Sequence, residues 1–381
     1  MRIDEENMLL HWLYSINGIG RKTLQKLISN LGSAKRIYEI PEKELDYFLK
    51  PSQKKSFMDF KYLVDPLKHY NKLLENNIRF IDCRSKDFPQ RLLDIPDPPY
   101  ALYVKGDLPD QSIPSIAVIG ARLCSEYGRY MARNFGRDFA SAGFQIVSGM
   151  AAGIDSVAEK AAISAGGKAY SVMGCGADIC YPEENRDLYE ECSIRGGIIS
   201  EYPISTKPAA SLFPPRNRII SGLCDVLIVI EARKKSGTLI TVDMALEQGR
   251  DVYVLPGRVT DRLSDGCNSL IKQGAQVITD ASDVISIFNY ERGQTAEADD
   301  KSQKPKEKIK SEHSMQGIRG DIISVLGIFP KTISEIEDEL NKRYESEKRR
   351  QNIDAAELLR TMAEMELNDQ IKRSEESYYI L

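Results

Sequence analysis

The chain has 381 residues, of which 42% are hydrophobic, and its formal net charge at pH 7 is -4. This balance excludes a protein that coats nucleic acid by bulk positive charge, so a polyanion would have to bind at a local patch. No apolar run is long enough to span a bilayer, and the opening MRIDEENMLL does not resemble a signal peptide. We therefore expect a cytoplasmic protein of two or three domains without membrane contact.

Cysteine and histidine usage excludes several kinds of site. The 7 cysteines include no CxxC pair, which indicates reduced and mostly buried thiols. The histidines, His11, His69 and His313, lie outside the central region, which therefore cannot hold a histidine base or a histidine-ligated zinc. The segment GCGADI at 174–179 begins like a dinucleotide-binding GxGxxG, but isoleucine replaces its last glycine. We expect no metal and no cofactor.

Residues 1–65 are predicted to form a small helical domain. Its segment INGIGRKTLQKLI resembles a helix-hairpin-helix element, in which Gly18 and Gly20 let the backbone approach a DNA phosphate. Arg21 and Lys22 would then stand at the start of the next helix as an accessory DNA contact. A purely structural hairpin in a sterile-alpha-motif-like domain is the alternative, and it stays open.

Residues 66–290 predict an extended Rossmann-like domain, a doubly wound α/β fold with a mostly parallel sheet. A helix at 67–76 and the strand-like IRFID lead into it. SIAVIGARLCSEYG then reads as a strand, a turn with Gly120 and Arg122, and a helix opened by Ser125. FQIVSGMAAGID repeats the pattern with Ser148 and Gly149. These turns meet at one sheet edge, where helix N-termini favour phosphates, so a polyanion is the expected ligand.

The stretch from Leu212 to Arg258 adds basic residues at the same predicted edge. Arg122, Arg216 and Arg218 are the predicted clamps, because a guanidinium matches two phosphate oxygens. Phe213 is a candidate for stacking a base, with a core phenylalanine as the alternative. Each turn alone could be ordinary βα turn chemistry, and only the conjunction indicates a ligand. The further phosphate-binding candidates of this stretch are Asn217, Lys235, Ser236, Gly237 and Thr238.

The C-terminal part divides into a linker and a small module. Residues 291–312 have almost no large apolar side chains and are predicted to form a flexible linker. Residues 313–381 predict a winged-helix-like domain, with a capping box of Thr332 and Glu335 and a second helix at 355–367. That second helix is acidic, which favours a protein-contact or regulatory role over DNA recognition.

Several motifs together resemble the DprA/Smf family of DNA-processing proteins. They follow one another over residues 80–280, and they are PPYALYVKG, IGARLCSEYG, SGMAAGID, MGCGADICYPEEN, SEYP, FPPRNRIISGL, SGTLI and VLPG. The resemblance implies a non-catalytic recombination mediator that binds single-stranded DNA and loads RecA during natural transformation. It also implies a homodimer through the Rossmann-like domain.

Two observations qualify the resemblance. Ala152 stands where the family pattern has arginine, and Ala158 with Glu159 stand where it has an Ala-His pair, so one arginine and one histidine of the pattern are missing. The same fold class includes LOG-like nucleotide phosphoribohydrolases, which are the alternative function. Glu231 and Glu247 would be the paired acids of such an enzyme, although the family's PGGxGTxxE register is absent here.

Overall fold

The structure is a computed structural model that describes residues 4–291, 318–326, 331–346, 355–368, 371–374 and 377–379. It consists of two compact units, Met1–Arg292 and Gly293–Leu381. Among the described residues, no helix combines the length and the apolar content that crossing a membrane requires.

The first unit opens with five helices. Trp12 is fully buried among them, and its indole nitrogen donates to the Val64 carbonyl at 2.9 Å. His11 lies 2.9 Å from the buried Tyr103 hydroxyl, which belongs to the sheet. The hydrophobic core is therefore continuous between the helices and the sheet, and the predicted domain boundary at residue 65 stays a prediction. The helices are α1 (Glu5–Tyr14), α2 (Arg21–Leu31), α3 (Ala34–Glu39), α4 (Pro51–Leu63) and α5 (Pro66–Glu75).

A nine-stranded sheet forms the centre of this unit, in the order β1-β2-β6-β5-β4-β3-β7-β8-β9. β2 is antiparallel to both its neighbours, whereas every pair from β6 to β9 is parallel. The predicted mostly parallel α/β sheet is thus confirmed. Its strands are β1 (Ile78–Asp82), β2 (Ala101–Gly106), β3 (Ser115–Ile119), β4 (Gln145–Ser148), β5 (Ala169–Met173), β6 (Gly197–Ser200), β7 (Val226–Val229), β8 (Asp251–Val254) and β9 (Gln276–Val277).

Helices cover both faces of the sheet, and its strands are therefore buried on both sides. Along β3, Ile116 and Val118 join one core while Ala117 and Ile119 join the other, as the two-residue period of a strand requires. The chain runs outward from β3 to β6 and then returns to place β7 on the other side of β3, which makes β3 and β7 the switch point. The helices are α6 (Gln90–Leu93), α7 (Glu126–Ser141), α8 (Ile154–Ser164), α9 (Arg186–Arg195), α10 (Phe213–Leu223), α11 (Gly237–Glu247), α12 (Asp265–Lys272) and α13 (Ser282–Glu291).

In its described residues, the second unit has three helices and a three-stranded antiparallel sheet of order β10-β12-β11. The predicted capping box is present, since the Glu335 amide donates to the Thr332 hydroxyl at 3.3 Å and Glu335 accepts from the Thr332 amide at 2.7 Å. The winged-helix assignment stays a prediction, and the predicted linker beyond residue 291 lies outside the described residues. The elements are α14 (Ile318–Val325), β10 (Lys331–Thr332), α15 (Ile333–Ser346), α16 (Ala355–Leu367), β11 (Lys372–Ser374) and β12 (Ser377–Tyr379).

Candidate nucleic-acid interface

A cavity of about 660 Å³ opens where β3 and β7 end, and we call it the main cavity. The turn after β3 lines it through Gly120 and Arg122, and the first turn of α10 lines it through Phe213 and Arg216. The loop after β7 and the start of α11 close the other side. The carboxyl ends of the strands at a switch point are the usual ligand site of a doubly wound fold, and the sequence predicted this edge.

The lining of the main cavity is positively charged. Its charged members are Arg122, Arg216 and Arg233 against Asp155, so three guanidinium groups and one carboxylate leave an excess of two positive charges. Arg122 and Arg233 are exposed, whereas Arg216 lies at the base. Sequence reasoning missed Arg233, although it directly precedes the basic pair Lys234 and Lys235 after the β7 segment.

Arg216 brings a buried charge to the base of the main cavity. Its guanidinium donates to the Val172 carbonyl and to the Gly149 carbonyl at 3.0 Å, and its Nε donates to Asn217 at 3.1 Å. A Cβ on Gly149 would lie 2.8 Å from this guanidinium, which explains the glycine. Burial lowers the pKa of Arg216, while the nearby carboxylates, first that of Asp155, oppose the shift. Among the described residues, no carboxylate forms an ion pair with Arg216.

Asp155 occupies the turns that the sequence predicted for phosphates. Burial raises its pKa to about 6, while Arg216, the Ser148 hydroxyl and the amides of Gly120 and Gly149 favour its ionised form. Ser148 is fully buried, and its single hydroxyl hydrogen is shared between Asp155 and the Val118 carbonyl, which lies 2.6 Å away. The turn after β4 therefore holds an internal anion. Neither Ser148 nor Gly149 lines the main cavity.

Glu231 is likewise an internal anion, and it lies at the start of α7. Its carboxylate accepts from the Ser125 amide at 2.9 Å and from the Ser125 hydroxyl, and the side chain is buried. The Ser125 hydroxyl in turn accepts from the Gly128 amide at 3.0 Å, which confirms the predicted helix cap. This N-terminus thus already has a negative partner, and Ser125 does not line the main cavity.

The start of α11, by contrast, faces the main cavity without an internal anion. Ser236, Gly237 and Thr238 line the cavity, and the Ser236 side chain makes no capping bond. Its buried hydroxyl has no hydrogen-bond partner in the described structure. Thr238 donates to the Gly120 carbonyl at 3.2 Å, which joins the two turns. Lys235 is exposed nearby but does not line the cavity.

Two aromatic rings stand together in the lining. Phe213 stacks on Tyr181 with ring centroids 5.6 Å apart and an interplanar angle of 24°. The Arg122 guanidinium lies 5.3 Å from the Phe213 centroid. Another edge of Phe213 packs so closely on Gly174 that a Cβ there would lie 2.5 Å from the ring. Tyr181, which sequence reasoning missed, is 40% exposed and presents the more open ring of the pair.

Arg218 and the N-terminal hairpin lie outside the main cavity. Arg218 is buried and binds Glu201 at 2.6 Å and Asp97 at 3.1 Å. Arg21 binds the same Asp97 at 2.5 Å, and the Gly18 carbonyl accepts from the Gln53 side chain at 2.8 Å. Gly20 lies beside Arg21 in a second, smaller cleft, and Lys22 is exposed on α2.

The departures from the family pattern lie behind the main cavity. Glu159 is fully buried and accepts from the Ser171 hydroxyl at 2.7 Å. Burial raises its pKa well above the usual value. Ala152 is partly exposed at the start of the same segment. In the part of the chain that the structure describes, no group of histidine, cysteine or acidic residues is arranged to hold a metal ion.

Residues 79–289 match the family model described as DNA recombination-mediator protein A. The chain is 41% identical over 209 residues to the DNA processing protein DprA of Streptococcus pneumoniae, covering 55% of this chain and 72% of the relative. It is 34% identical over 288 residues to protein Smf of Escherichia coli, covering 75% and 71%.

Two solved structures are similar as well. The structure of S. pneumoniae DprA has 33% sequence identity and a TM-score of 0.64, covering 75% of this chain and 98% of that one. DNA processing protein A from Helicobacter pylori, described for its single-stranded DNA binding mode, has 29% identity and a TM-score of 0.51, covering 57% and 98%. The chain therefore belongs to the DNA recombination-mediator protein A family, that of the DprA and Smf proteins.

Proposed function

We propose that the main cavity binds the phosphates of single-stranded DNA. The observation that carries the proposal is the open N-terminus of α11, where the Ser236 hydroxyl has no partner among the described residues and Arg122, Arg216 and Arg233 line the same cavity. Helix N-terminal amides and guanidinium forks are the donors that phosphate oxygens prefer. Asn217, Gly237 and Thr238 complete the proposed site, and Gly120 joins it through the turn after β3.

Other predicted residues are left out of the proposed contact. Ser125, Ser148 and Gly149 already serve internal carboxylates, and Arg218 is neutralised by an ion pair. Lys235 acts through long-range attraction from outside the cavity, because exposed charge draws a polyanion towards the site. The hairpin residues Gly18, Gly20, Arg21 and Lys22 are no part of the phosphate site.

The aromatic pair supplies the preference for single strands. Bases of a single strand can unstack onto a protein ring, whereas the bases of a duplex are already stacked on each other. Tyr181 therefore receives a base, and Phe213 supports it from behind with Arg122 over its ring. Base stacking and phosphate contacts do not depend on the base sequence, so we expect the protein to bind DNA with little sequence specificity.

The protein acts as a recombination mediator rather than as an enzyme. Family membership supports a homodimer in the cytoplasm that passes the bound strand to RecA during natural transformation. The alternative phosphoribohydrolase needs paired acids, but neither Glu231 nor Glu247 lines the main cavity. Asp155 is the one carboxylate among the described lining residues.

Fluorescence anisotropy with labelled oligonucleotides tests the proposal. We expect tighter binding to a single strand than to a blunt duplex of equal length, with an affinity that falls as salt rises. Equal or tighter binding to the duplex would contradict it. A nucleoside monophosphate incubated with the protein should stay intact, and release of free base at enzymatic rates would replace the mediator with the hydrolase.

A further inference from the structure

A second cleft of about 280 Å³ lies between the N-terminal helices and α10, and we call it the α2 cleft. The end of α1 lines it through Tyr14, and the start of α2 lines it through Gly20 and Arg21. The segment after β6 and the first turns of α10 form its other wall. It shares no lining residue with the main cavity.

The charges in the α2 cleft are balanced. Arg21 and Arg218 both bind Asp97, at 2.5 and 3.1 Å, and Arg218 also binds Glu201 at 2.6 Å. Two guanidinium groups therefore face two carboxylates, so the cleft has no excess charge for an ion to neutralise. A neutral ligand fits this lining better than a phosphate or a metal ion.

One hydrogen-bond donor in the lining nevertheless has no acceptor. Arg218 uses its Nε and Nη2 in ion pairs, but its buried Nη1 has no partner in the described structure, although the side chain is only 7% exposed. A buried guanidinium nitrogen without an acceptor costs free energy, which a ligand acceptor would recover. Asp97 is 51% exposed, so its carboxylate retains capacity to accept from a ligand.

The rest of the lining is flat and largely apolar. Tyr14, Tyr202, Pro203 and Pro215 contribute rings to the α2 cleft. The Tyr202 hydroxyl donates to the Leu212 carbonyl at 3.0 Å, which holds that ring in place. Aromatic and proline rings favour a flat ligand, and base stacking on such side chains is common in nucleic-acid sites.

We propose that the α2 cleft binds a guanine base. Guanine is neutral and flat, and its O6 acceptor suits the unpartnered Nη1 of Arg218, whose Nε and Nη2 already bind carboxylates. Its N1–H and amino donors lie on the adjoining edge, where the exposed Asp97 carboxylate accepts. Adenine reverses these contacts, since it carries an amino donor at position 6, where guanine has O6, and an acceptor at N1, where guanine has N1–H.

The base can come from the strand in the main cavity or from a free nucleotide. Pro214 lines the main cavity and Pro215 lines the α2 cleft, so the two sites open on either side of the first turn of α10. A strand that crosses this turn would place a neighbouring base in the cleft, and this source rests on the proposed function. A free guanine nucleotide would use the same contacts.

Filling the cleft provides the test in the full-length protein. Gly20 has φ -76° and ψ 170°, which any residue adopts, and a Cβ there meets no heavy atom within 4 Å. Gly20→Leu therefore fills the cleft without straining the backbone. Ser29→Leu, an exposed position on α2, is the matched control. Gly237→Leu fills the main cavity instead, since Gly237 lines it and is equally open.

Anisotropy would compare an all-thymine strand with strands that carry one guanine or one adenine. We expect the guanine strand to bind about tenfold tighter, since a specific base contact discriminates by roughly 5- to 150-fold. Gly20→Leu should remove the guanine advantage and leave the all-thymine affinity unchanged, whereas Ser29→Leu should change neither. Gly237→Leu should weaken every strand.

Titration with guanosine monophosphate and with adenosine monophosphate separates the two sources. Saturable guanosine monophosphate binding that Gly20→Leu abolishes, without a strand preference, would assign the cleft to free nucleotide. Neither a strand preference nor guanosine monophosphate binding, or a preference that survives Gly20→Leu, would overturn the guanine site. Failure of the main-cavity proposal looks different, because the all-thymine strand would then not bind.

Discussion

Helices α7 and α11 begin alike, each with a serine at the N-cap, but their first turns meet different partners. At α7 the Ser125 amide and hydroxyl donate to the carboxylate of Glu231, which lies two residues after β7. At α11 the buried Ser236 hydroxyl has no partner among the described residues, and Ser236 lines the main cavity. A turn suited to phosphate is therefore open to an external anion where the fold brings no carboxylate of its own, and this is why we propose the α11 turn as the site.

The largest expected effect is a loss of stability when the carboxylate of Glu231 is removed from the turn at the start of α7. Glu231→Ala leaves buried Ser125 donors unpaired and opens a small void, so we expect a loss of about 2 to 4 kcal/mol in the free energy of unfolding. Chemical denaturation monitored by circular dichroism measures it. Glu247→Ala, at an exposed position at the far end of α11, is the control and should stay within about 0.5 kcal/mol. An unchanged stability would mean that Glu231 does not hold α7.

Substitution of Arg122 tests the proposed phosphate contact in the main cavity. Arg122→Ala removes a charged phosphate contact, so we expect single-strand binding to weaken by about 1.5 to 3 kcal/mol, while stability stays the same because the side chain is exposed. Anisotropy and denaturation separate the two quantities. Arg137→Ala, an exposed arginine on α7 outside the cavity, should leave binding nearly unchanged. If both variants keep the wild-type affinity, the phosphates bind elsewhere.

The two N-cap serines form a matched pair of tests. Ser125→Ala should cost about 1 kcal/mol of stability, because it removes a helix cap, and should leave DNA affinity intact. Ser236→Ala should do the reverse, weakening DNA binding by about threefold while stability holds, since its hydroxyl makes no capping bond. The comparison fails if the two substitutions have the same pattern of effects.

The smallest expected effect is a dependence on pH. Burial raises the pKa of Asp155 to about 6, so its ionised form opposes a phosphate above that pH. Binding should therefore tighten by about threefold as the pH falls from about 8 to about 5.5, with proton uptake. Asp155→Asn should bind more tightly at the higher pH and lose the dependence. A wild-type affinity that stays constant over this range would contradict the role of Asp155.

The same raised pKa affects stability with a defined sign. A carboxylate whose pKa is higher in the folded state favours folding at low pH, and this contribution is lost as the pH rises through the folded pKa of about 6. Asp155→Asn should therefore remove this pH dependence of the unfolding free energy, which lies below the folded pKa of about 6 and above the ordinary carboxyl pKa of about 4.

Much of the fold followed from local sequence pattern. The strand IRFID corresponds to β1, and the helix predicted at 355–367 corresponds to α16. Ser125 caps α7 as its position before the helix suggested. Such features depend on the periodicity of apolar side chains and on hydrogen bonds between residues a few positions apart.

Which groups of the candidate site are paired internally depends on contacts between residues far apart in the chain. Ser125 and Glu231 are 106 positions apart, and Arg218 and Asp97 are 121 apart. Sequence alone determined the sheet edge where phosphates are expected and the residue types that stand there. Only the tertiary structure decided which of those groups are neutralised internally, because charge pairing depends on distance and burial in space, which no local pattern encodes.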